Sequence, residues 1–343
     1  MTAAGTGGEG SRGGRRVTRG LVRLLISGAL LGLLLFLVPW EQVTVAAARM
    51  TPGLYLMALA GYFVGHAMGA VKWNTLVSAA RRYGGRLTVR DTAGCYSAGL
   101  FANLFLPTVV GGDVVRAGLA VRALGRPEAV VLGSIADRLI DFAGLGLLIA
   151  AGAVLAGAGL AGWGWPLAAI AALVGIATGV MVLPFLLRRR LAGWPPRFRR
   201  RIGRALVALR HLGRSPGTAA VALGLSLSMQ SLFIVVGARL GQAVGAEAPL
   251  AVWFVVWPLA KAAGMLPVSL GGLGVRDAAL TTLLVPFGVP AAVGLVASLA
   301  WQAVLVGGSL IAGLVALVLR PGRASRAHHQ RATGSIRRPT RIA

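Results

Sequence analysis

Charged side chains stand inside apolar stretches of this sequence, where a charge is costly to place in hydrocarbon. Asp113 and Arg116 follow a pair of glycines, and Arg276 and Asp277 follow a second pair much later in the chain. Lys261 lies alone in an apolar segment. Buried ions can bind a charged headgroup or carry a coupling proton, so these five residues are the first candidates for a functional site.

The glycine pairs belong to two similar segments. Each reads proline, three other residues, two glycines and then an arginine at the same offset, and the two copies are 160 residues apart. Proline and glycine interrupt helices, and short interrupted segments are the best sequence indicator of a transporter's binding site. The predicted hairpin tips comprise Pro107, Gly111, Gly112 and Asp113 in the first segment, and Pro267, Gly271, Gly272, Gly274 and Asp277 in the second.

Arg116, Arg276 and Lys261 are the predicted cations for a headgroup phosphate. Glycines before an arginine expose amide N–H groups at the N-terminus of a half-helix, where the helix dipole favours an anion. Other interpretations remain open. Asp113 is also explained as a helix N-cap with Arg116 reaching to the interface, and Arg276 and Asp277 as an ion pair at the outer interface.

Asp137, Arg138 and Asp141 form a third polar group in a long apolar run. Asp137 and Asp141 are four residues apart, so they share one face of a helix. We expect this group to hold the arginines in place or to accept a coupling proton. The alternative places it at the cytoplasmic rim, because the apolar stretch after Asp141 is itself long enough to span.

Gly61, Gly65 and Gly69 recur every four residues. This spacing lets two membrane helices approach closely, so helix packing is their predicted role. His66 lies among them and is expected to contribute to packing rather than to bind a ligand.

Membrane helices must position all these residues. Of 343 residues, 56% are hydrophobic and 13% are charged, against about 25% charged in soluble domains. Segments 92–107 and 251–267 are short and end at the proline and glycine breaks, so we predict two re-entrant hairpins there. The segment at 24–38 also resembles a signal peptide, but further spans follow and an uncleaved span is expected. Six full spans are predicted at about 24–38, 54–71, 130–160, 165–187, 219–238 and 290–319.

The distribution of cations predicts the topology. With both short segments treated as hairpins, thirty of the 35 lysines and arginines fall on one side of the membrane, which the positive-inside rule makes cytoplasmic. Full crossings would instead place the ten arginines of 188–214 outside. We therefore predict a multi-pass protein of the cell (plasma) membrane with both termini in the cytoplasm. The thirty cations lie in 1–23, 72–90, 116–126, 188–214 and 320–341.

The predicted fold is an all-α polytopic membrane domain at 21–319 with an inverted-topology repeat. The first hairpin would enter from the cytoplasm and the second from outside, and the order of two spans, hairpin and one span occurs twice. The repeat halves are about 21–160 and 165–319. Basic cytoplasmic tails at 1–20 and 320–343 flank the domain, and the second is expected to be disordered.

Several function classes are disfavoured by the residues. The net charge is +26, but the arginines adjoin apolar segments, which favours anionic lipid headgroups over nucleic acid as the partner. The chain has one cysteine, Cys95, and four histidines, without a metal-ligand spacing or a catalytic motif. We therefore expect neither an enzyme nor a metal site nor a cofactor.

Three motifs together carry a family resemblance. They are the P-x-x-x-G-G-D-x-x-R run at 107–116, the D-R-x-x-D run at 137–141 and the P-x-x-x-G-G-x-G-x-R-D run at 267–277. The chain resembles the lysylphosphatidylglycerol synthase transmembrane-region family, whose members are also called flippase-like membrane proteins. The resemblance covers about 19–319 and implies lipid translocation or a related lipid role. The family's best-known enzyme also has a cytoplasmic aminoacyl transferase domain. We expect no such domain in this chain, so the resemblance does not imply lipid lysylation.

The predicted function is movement of an anionic phospholipid or a polyprenyl-phosphate-linked precursor between leaflets. The alternative is a non-transporting scaffold that supports a membrane enzyme, such as a glycosyltransferase or a lipid-modifying enzyme. An unrecognised membrane transferase is a third interpretation. Polar residues at both hairpin tips favour transport, because a scaffold has no need of buried ions.

Overall fold

The structure is a computed structural model that describes residues 41, 44–45, 48–80, 87–106, 111–157, 215–265 and 274–319. The predicted spans at 24–38 and 165–187, both basic tails and the arginine-rich stretch 188–214 lie outside the described residues. So do four residues of the predicted hairpin tips, Pro107, Pro267, Gly271 and Gly272.

All regular structure in the described part of the chain is helical. Four long helices occur with two pairs of short ones, and a 3-10 turn at Val285–Phe287 follows the second pair. The helices are α1 (Pro52–Ala79), α2 (Val89–Ala102), α3 (Gly111–Leu124), α4 (Pro127–Ala156), α5 (Pro216–Ala243), α6 (Leu250–Gly264), α7 (Val275–Leu284) and α8 (Ala291–Leu319).

Helices α1, α4, α5 and α8 have 28 to 30 residues and are apolar enough to cross a membrane. At about 1.5 Å per residue, each is longer than the ~30 Å hydrocarbon layer. They coincide with four of the predicted spans, at 54–71, 130–160, 219–238 and 290–319, which are thereby confirmed as helices of membrane length. The chain is a multi-pass helical membrane protein.

The short helices occur where the sequence predicts interrupted segments. Helices α2 and α3 have 14 residues each, and α6 and α7 have 15 and 10. At that length, none reaches across the hydrocarbon layer alone. In each pair the first helix packs against the second.

Local sequence signals explain where several helices begin. Thr51 precedes α1 and its hydroxyl accepts a hydrogen bond from the Leu54 amide, while Pro52 occupies the first turn, where it loses no helical bond. Thr88 caps α2 in the same way through the Asp91 amide, at 3.0 Å. Helices α4 and α5 also begin with a proline in the first turn, where it loses no helical hydrogen bond.

Glycines on α1 set its contact with α5. A Cβ atom added at Gly61 would lie 2.7 Å from Val236 Cγ2, one at Gly65 would collide with Phe233, and one at Gly69 would lie 3.0 Å from Met229 Sδ. The predicted packing role of these three glycines is confirmed. As residue numbers rise along α1 they fall along α5, so the two helices run antiparallel.

Other contacts fix the directions of the remaining long helices. Trp73 Nε1 donates to Ser134 Oγ at 3.0 Å, and Lys72 pairs further along α4, so α1 and α4 are antiparallel. Tyr55 contacts Ala303 and Tyr62 contacts Ser309, so α1 and α8 run in the same direction.

The principal helix contacts show a regular pattern. Helices α1 to α4 correspond in order to α5 to α8. Whenever two helices pack against each other, the two corresponding helices also pack against each other. For example, α2 packs against α8 as α6 packs against α4, and α1 packs against α4 as α5 packs against α8. The pair α1 and α5 is its own counterpart and lies at the centre of the arrangement.

Candidate functional site

A buried cluster of ions lies where α1, α3 and α4 meet. Its centre is Asp137 on α4, whose Oδ1 is 3.1 Å from Lys72 Nζ and whose Oδ2 is 3.1 Å from Arg116 Nη2. The exposed fractions of these three side chains are 4%, 2% and 6%. Three helices are thus joined through one carboxylate.

Two further carboxylates complete the cluster. Asp113 contacts Arg116 at 3.2 Å and also pairs with Arg138. Asp141, one turn after Asp137, pairs with Lys72 and accepts a hydrogen bond of 2.7 Å from Ser226 Oγ on α5. Three cations therefore face three carboxylates. This balance matters because a buried charge without a partner is strongly destabilising.

Arg116 has an aromatic environment as well as its ion pairs. Its guanidinium carbon lies 4.7 Å from the centre of the Trp73 ring and 5.0 Å from that of Tyr96. Cation–π contacts of this kind hold a guanidinium in one orientation. Arg116 is therefore bound on several sides in this conformation.

Helices α2 and α3 approach each other closely just before Arg116, and this contact helps to place Arg116 in the ion cluster. A Cβ atom on Gly112 would collide with the Gly99 carbonyl oxygen, so α2 and α3 touch backbone to backbone there. The Gly112 amide donates to Asn103 Oδ1 at 2.9 Å. The glycine pair at the start of α3 thus permits a contact that any larger residue would prevent.

The second pair of short helices has a smaller polar site. Asp277 Oδ2 accepts from the Gly274 amide at 3.0 Å, and its Oδ1 accepts from Ser298 Oγ of α8 at 2.5 Å. Arg276 Nη2 contacts Asp277 Oδ1 at 3.2 Å and donates to Gln302 Oε1 at 2.7 Å. Each pair of short helices thus attaches its arginine to the long helix that follows.

A cavity of about 190 Å³ is lined mainly by helices α5–α8. Residues from α1, α4, α5, α6, α7 and α8 line it, and its cations are Lys261 and Arg276. The remaining polar side chains of its wall are His66, Gln230 and Ser298, and the rest of the wall is apolar or aromatic and includes Trp257 and Trp301. Its chemical character is that of a small, positively charged, partly aromatic site.

The cavity and the ion cluster are neighbours. Gln230 Nε2 donates to Ser226 Oγ at 3.0 Å and to the Asp141 carbonyl oxygen at 3.3 Å. On the other side, His66 Nδ1 lies 3.5 Å from the Tyr96 hydroxyl, and Tyr96 contacts Arg116. Two series of contacts, one through Gln230 and one through His66 and Tyr96, therefore connect the cavity with the ion cluster.

The structure separates the three predicted headgroup cations. Lys261 and Arg276 line the cavity together, whereas Arg116 lies in the ion cluster with Asp113, Asp137 and the other members. The arginines are thus in two different environments, although their sequence motifs match.

The roles of three important residues are missed by sequence reasoning. The cation count places Lys72 at the cytoplasmic side, but the structure buries it within α1 at the ion cluster. Gln230 is a neutral residue in an apolar run, and His66 is expected only to pack; both line the cavity. A lysine within a long apolar segment is a usable signal for Lys72, whereas nothing local distinguishes Gln230.

Among the described residues, no set of three or more His, Cys, Asp and Glu side chains is arranged to hold a metal ion. The six charged residues of the ion cluster bind one another.

The fold and the site define a class: a multi-pass helical membrane protein with a buried ion cluster beside a polar cavity. A protein-family model for the lysylphosphatidylglycerol synthase TM region matches residues 20–313, so the chain belongs to that family. This membrane region is not itself the catalytic domain. Neither a search of curated proteins nor a search of solved structures returned a match.

Proposed function

We propose that this protein moves an anionic phospholipid or a lipid-linked precursor between the leaflets of the cell membrane. The observation that carries the proposal is the cavity lined by α5–α8 together with α1 and α4, where Lys261 and Arg276 stand among apolar and aromatic side chains. Cations at membrane depth are costly and mark substrate pathways. The headgroup would cross through the cavity while the acyl chains stay in the bilayer.

An inverted repeat would supply the two conformations that transport requires. The mapping of packed helix pairs onto one another supports two similar halves, and the antiparallel packing of α1 and α5 supports their inversion. In this proposal α2 with α3 and α6 with α7 are re-entrant hairpins, one entering from each side. The cation distribution of the sequence supports cytoplasmic termini. Alternating access then follows from rocking one half against the other.

The difference between the two hairpins suggests which side is closed. In the first, Arg116 is bound to two carboxylates and two aromatic rings. In the second, Arg276 keeps 20% of its side chain exposed and faces the cavity. The ion cluster would therefore hold the cytoplasmic hairpin closed here, and carboxylates freed in the other state could accept a coupling proton.

Reconstitution tests the proposal. Purified protein in liposomes with an acyl-labelled anionic lipid should speed its equilibration between leaflets over protein-free liposomes. Arg276→Ala should remove most of that acceleration because it takes a cation from the cavity. Arg122→Ala is the matched control, since Arg122 is exposed on α3 and lies outside the cavity wall. Equal rates with and without protein, across several anionic lipids and with or without a proton gradient, would refute transport.

One observation favours the scaffold alternative. The ion cluster is balanced and joins α1, α3 and α4, which suits a rigid framework for a partner enzyme. A scaffold would leave lipid movement unchanged in liposomes, while deletion of the protein would still lower a partner enzyme's activity in membranes.

A further inference from the structure

The charge of the cavity wall has one sign. Lys261 and Arg276 line it, whereas no aspartate or glutamate stands among the described residues of the wall. The neighbouring carboxylate of Asp277 is 1% exposed and is already bound by Arg276, Ser298 and the Gly274 amide. The cavity therefore attracts an anionic group and repels an additional cation.

Both cations retain binding capacity. Lys261 forms no ion pair within 4.0 Å in the described part of the chain, and the carboxylate that attracts it at longer range, Asp141, is already paired with Lys72. A guanidinium has five N–H donors, and in the described part of the chain Arg276 donates only through Nη2. An ammonium and the free N–H groups of a guanidinium together suit the oxygens of one phosphate.

Gln230 adds an unused acceptor. Its Nε2 is bound to Ser226 and to the Asp141 carbonyl, but its Oε1 is buried and has no hydrogen-bond partner among the described residues. The whole residue is 2% exposed and lines the cavity. A buried polar atom without a partner is rare in proteins, and a hydroxyl of a bound ligand would satisfy it after a small rotation of the Gln230 amide towards the cavity.

The volume of the cavity suits a small headgroup. A cavity of about 190 Å³ has room for about six water molecules at roughly 30 Å³ each. A phosphate with a glycerol fills a space of that order, whereas a larger headgroup would have to extend through the open side of the cavity.

We propose that this cavity is the binding site for a compact phosphate headgroup, held by Lys261 and Arg276 with a hydroxyl on Gln230, and that it excludes headgroups carrying a free amine. The inference rests on the proposed lipid translocation and narrows its substrate class. Phosphoglycerol fits all three contacts, while a terminal phosphate monoester fits the two cations.

A binding experiment tests the site without transport. The chain has two lysines, Lys72 and Lys261, so reductive methylation in detergent, read by mass spectrometry, can follow each one separately. Phosphatidylglycerol and phosphatidate should each slow methylation of Lys261 at least about fivefold and leave Lys72 unchanged. Phosphatidylcholine, which carries a fixed cation, and inorganic phosphate at equal concentration should protect weakly. Stronger protection by inorganic phosphate would make the ligand a free anion and overturn the lipid assignment.

A variant of Gln230 tests the hydroxyl contact separately from the phosphate contacts of the two cations. Gln230→Leu should weaken protection by phosphatidylglycerol about tenfold and leave protection by phosphatidate unchanged, because only the first lipid offers a hydroxyl. Equal weakening for both lipids would remove Gln230 from the proposed site.

Transport in liposomes gives the second readout. Phosphatidylglycerol should equilibrate at least about tenfold faster than lysylphosphatidylglycerol or phosphatidylethanolamine, and Lys261→Met should remove that preference. If phosphatidylglycerol protects Lys261 but is not moved, the site stands and translocation fails. If phosphatidylglycerol is moved while Lys261 stays unprotected, or if the amine-bearing lipids move equally fast, the proposed site is wrong.

Discussion

Asp137 is the residue on which the ion cluster depends most. It contacts Lys72 and Arg116, each at 3.1 Å, and its side chain is 4% exposed. Asp137→Asn keeps the shape of the side chain and removes its charge, leaving three cations against two carboxylates. Breaking a buried ion pair costs about 3–5 kcal/mol. Because Lys72 keeps Asp141 and Arg116 keeps Asp113, we expect the lower end of that range.

The measurement is thermal unfolding in detergent micelles, read as the folded fraction by size-exclusion chromatography. A loss of about 3 kcal/mol should lower the midpoint by roughly 5–10 °C. Glu128→Gln is the matched control, because Glu128 is an exposed carboxylate on the first turn of the same helix, α4. Its midpoint should stay within about 1 °C of the parent, as for other surface substitutions.

A double variant isolates the charge effect. Combining Arg116→Met with Asp137→Asn leaves two complete ion pairs in the cluster, Lys72 with Asp141 and Arg138 with Asp113. The pair should be more stable than Asp137→Asn alone by about 1 kcal/mol or more, since neighbouring sites of one network couple. An Asp137→Asn midpoint equal to that of the parent would refute the argument that this cluster is paired in the folded protein. A double variant less stable than either single variant would refute the charge-balance reasoning.

Two further predictions follow from packing and from topology. Gly112→Ala should destabilise the protein by about 1–3 kcal/mol, because the added Cβ collides with the Gly99 carbonyl. Gly118→Ala on the same helix meets nothing within 4 Å, so in the same unfolding assay it should cause no loss of stability and a gain of up to about 1 kcal/mol. In a Cys95→Ser background on intact cells, an impermeant thiol reagent should label a cysteine at position 159 and not one at Ser215. Labelling at Ser215 would place the N-terminus of α5 outside and contradict the proposed topology.

Much of the architecture can be predicted from the sequence, for a simple reason. Long apolar runs must form helices in a membrane because every backbone group needs an internal partner there, and α1, α4, α5 and α8 coincide with predicted runs. Proline and glycine stop helices locally, so the breaks between α2 and α3 and between α6 and α7 are also predictable. The packing role of Gly61, Gly65 and Gly69 follows from their spacing alone.

The candidate site is different, because charge pairing depends on residues distant in the sequence. The matching motifs assign Arg116 and Arg276 the same role, yet only the folded chain places Arg116 between Asp137 and two aromatic rings and leaves Arg276 at the cavity. Lys72 joins Asp137 from another helix, 65 positions away. A residue's type and spacing determine whether it can be buried as an ion. Which partner neutralises it, and hence which cation stays free to bind a ligand, is decided by helices that meet only in the tertiary structure.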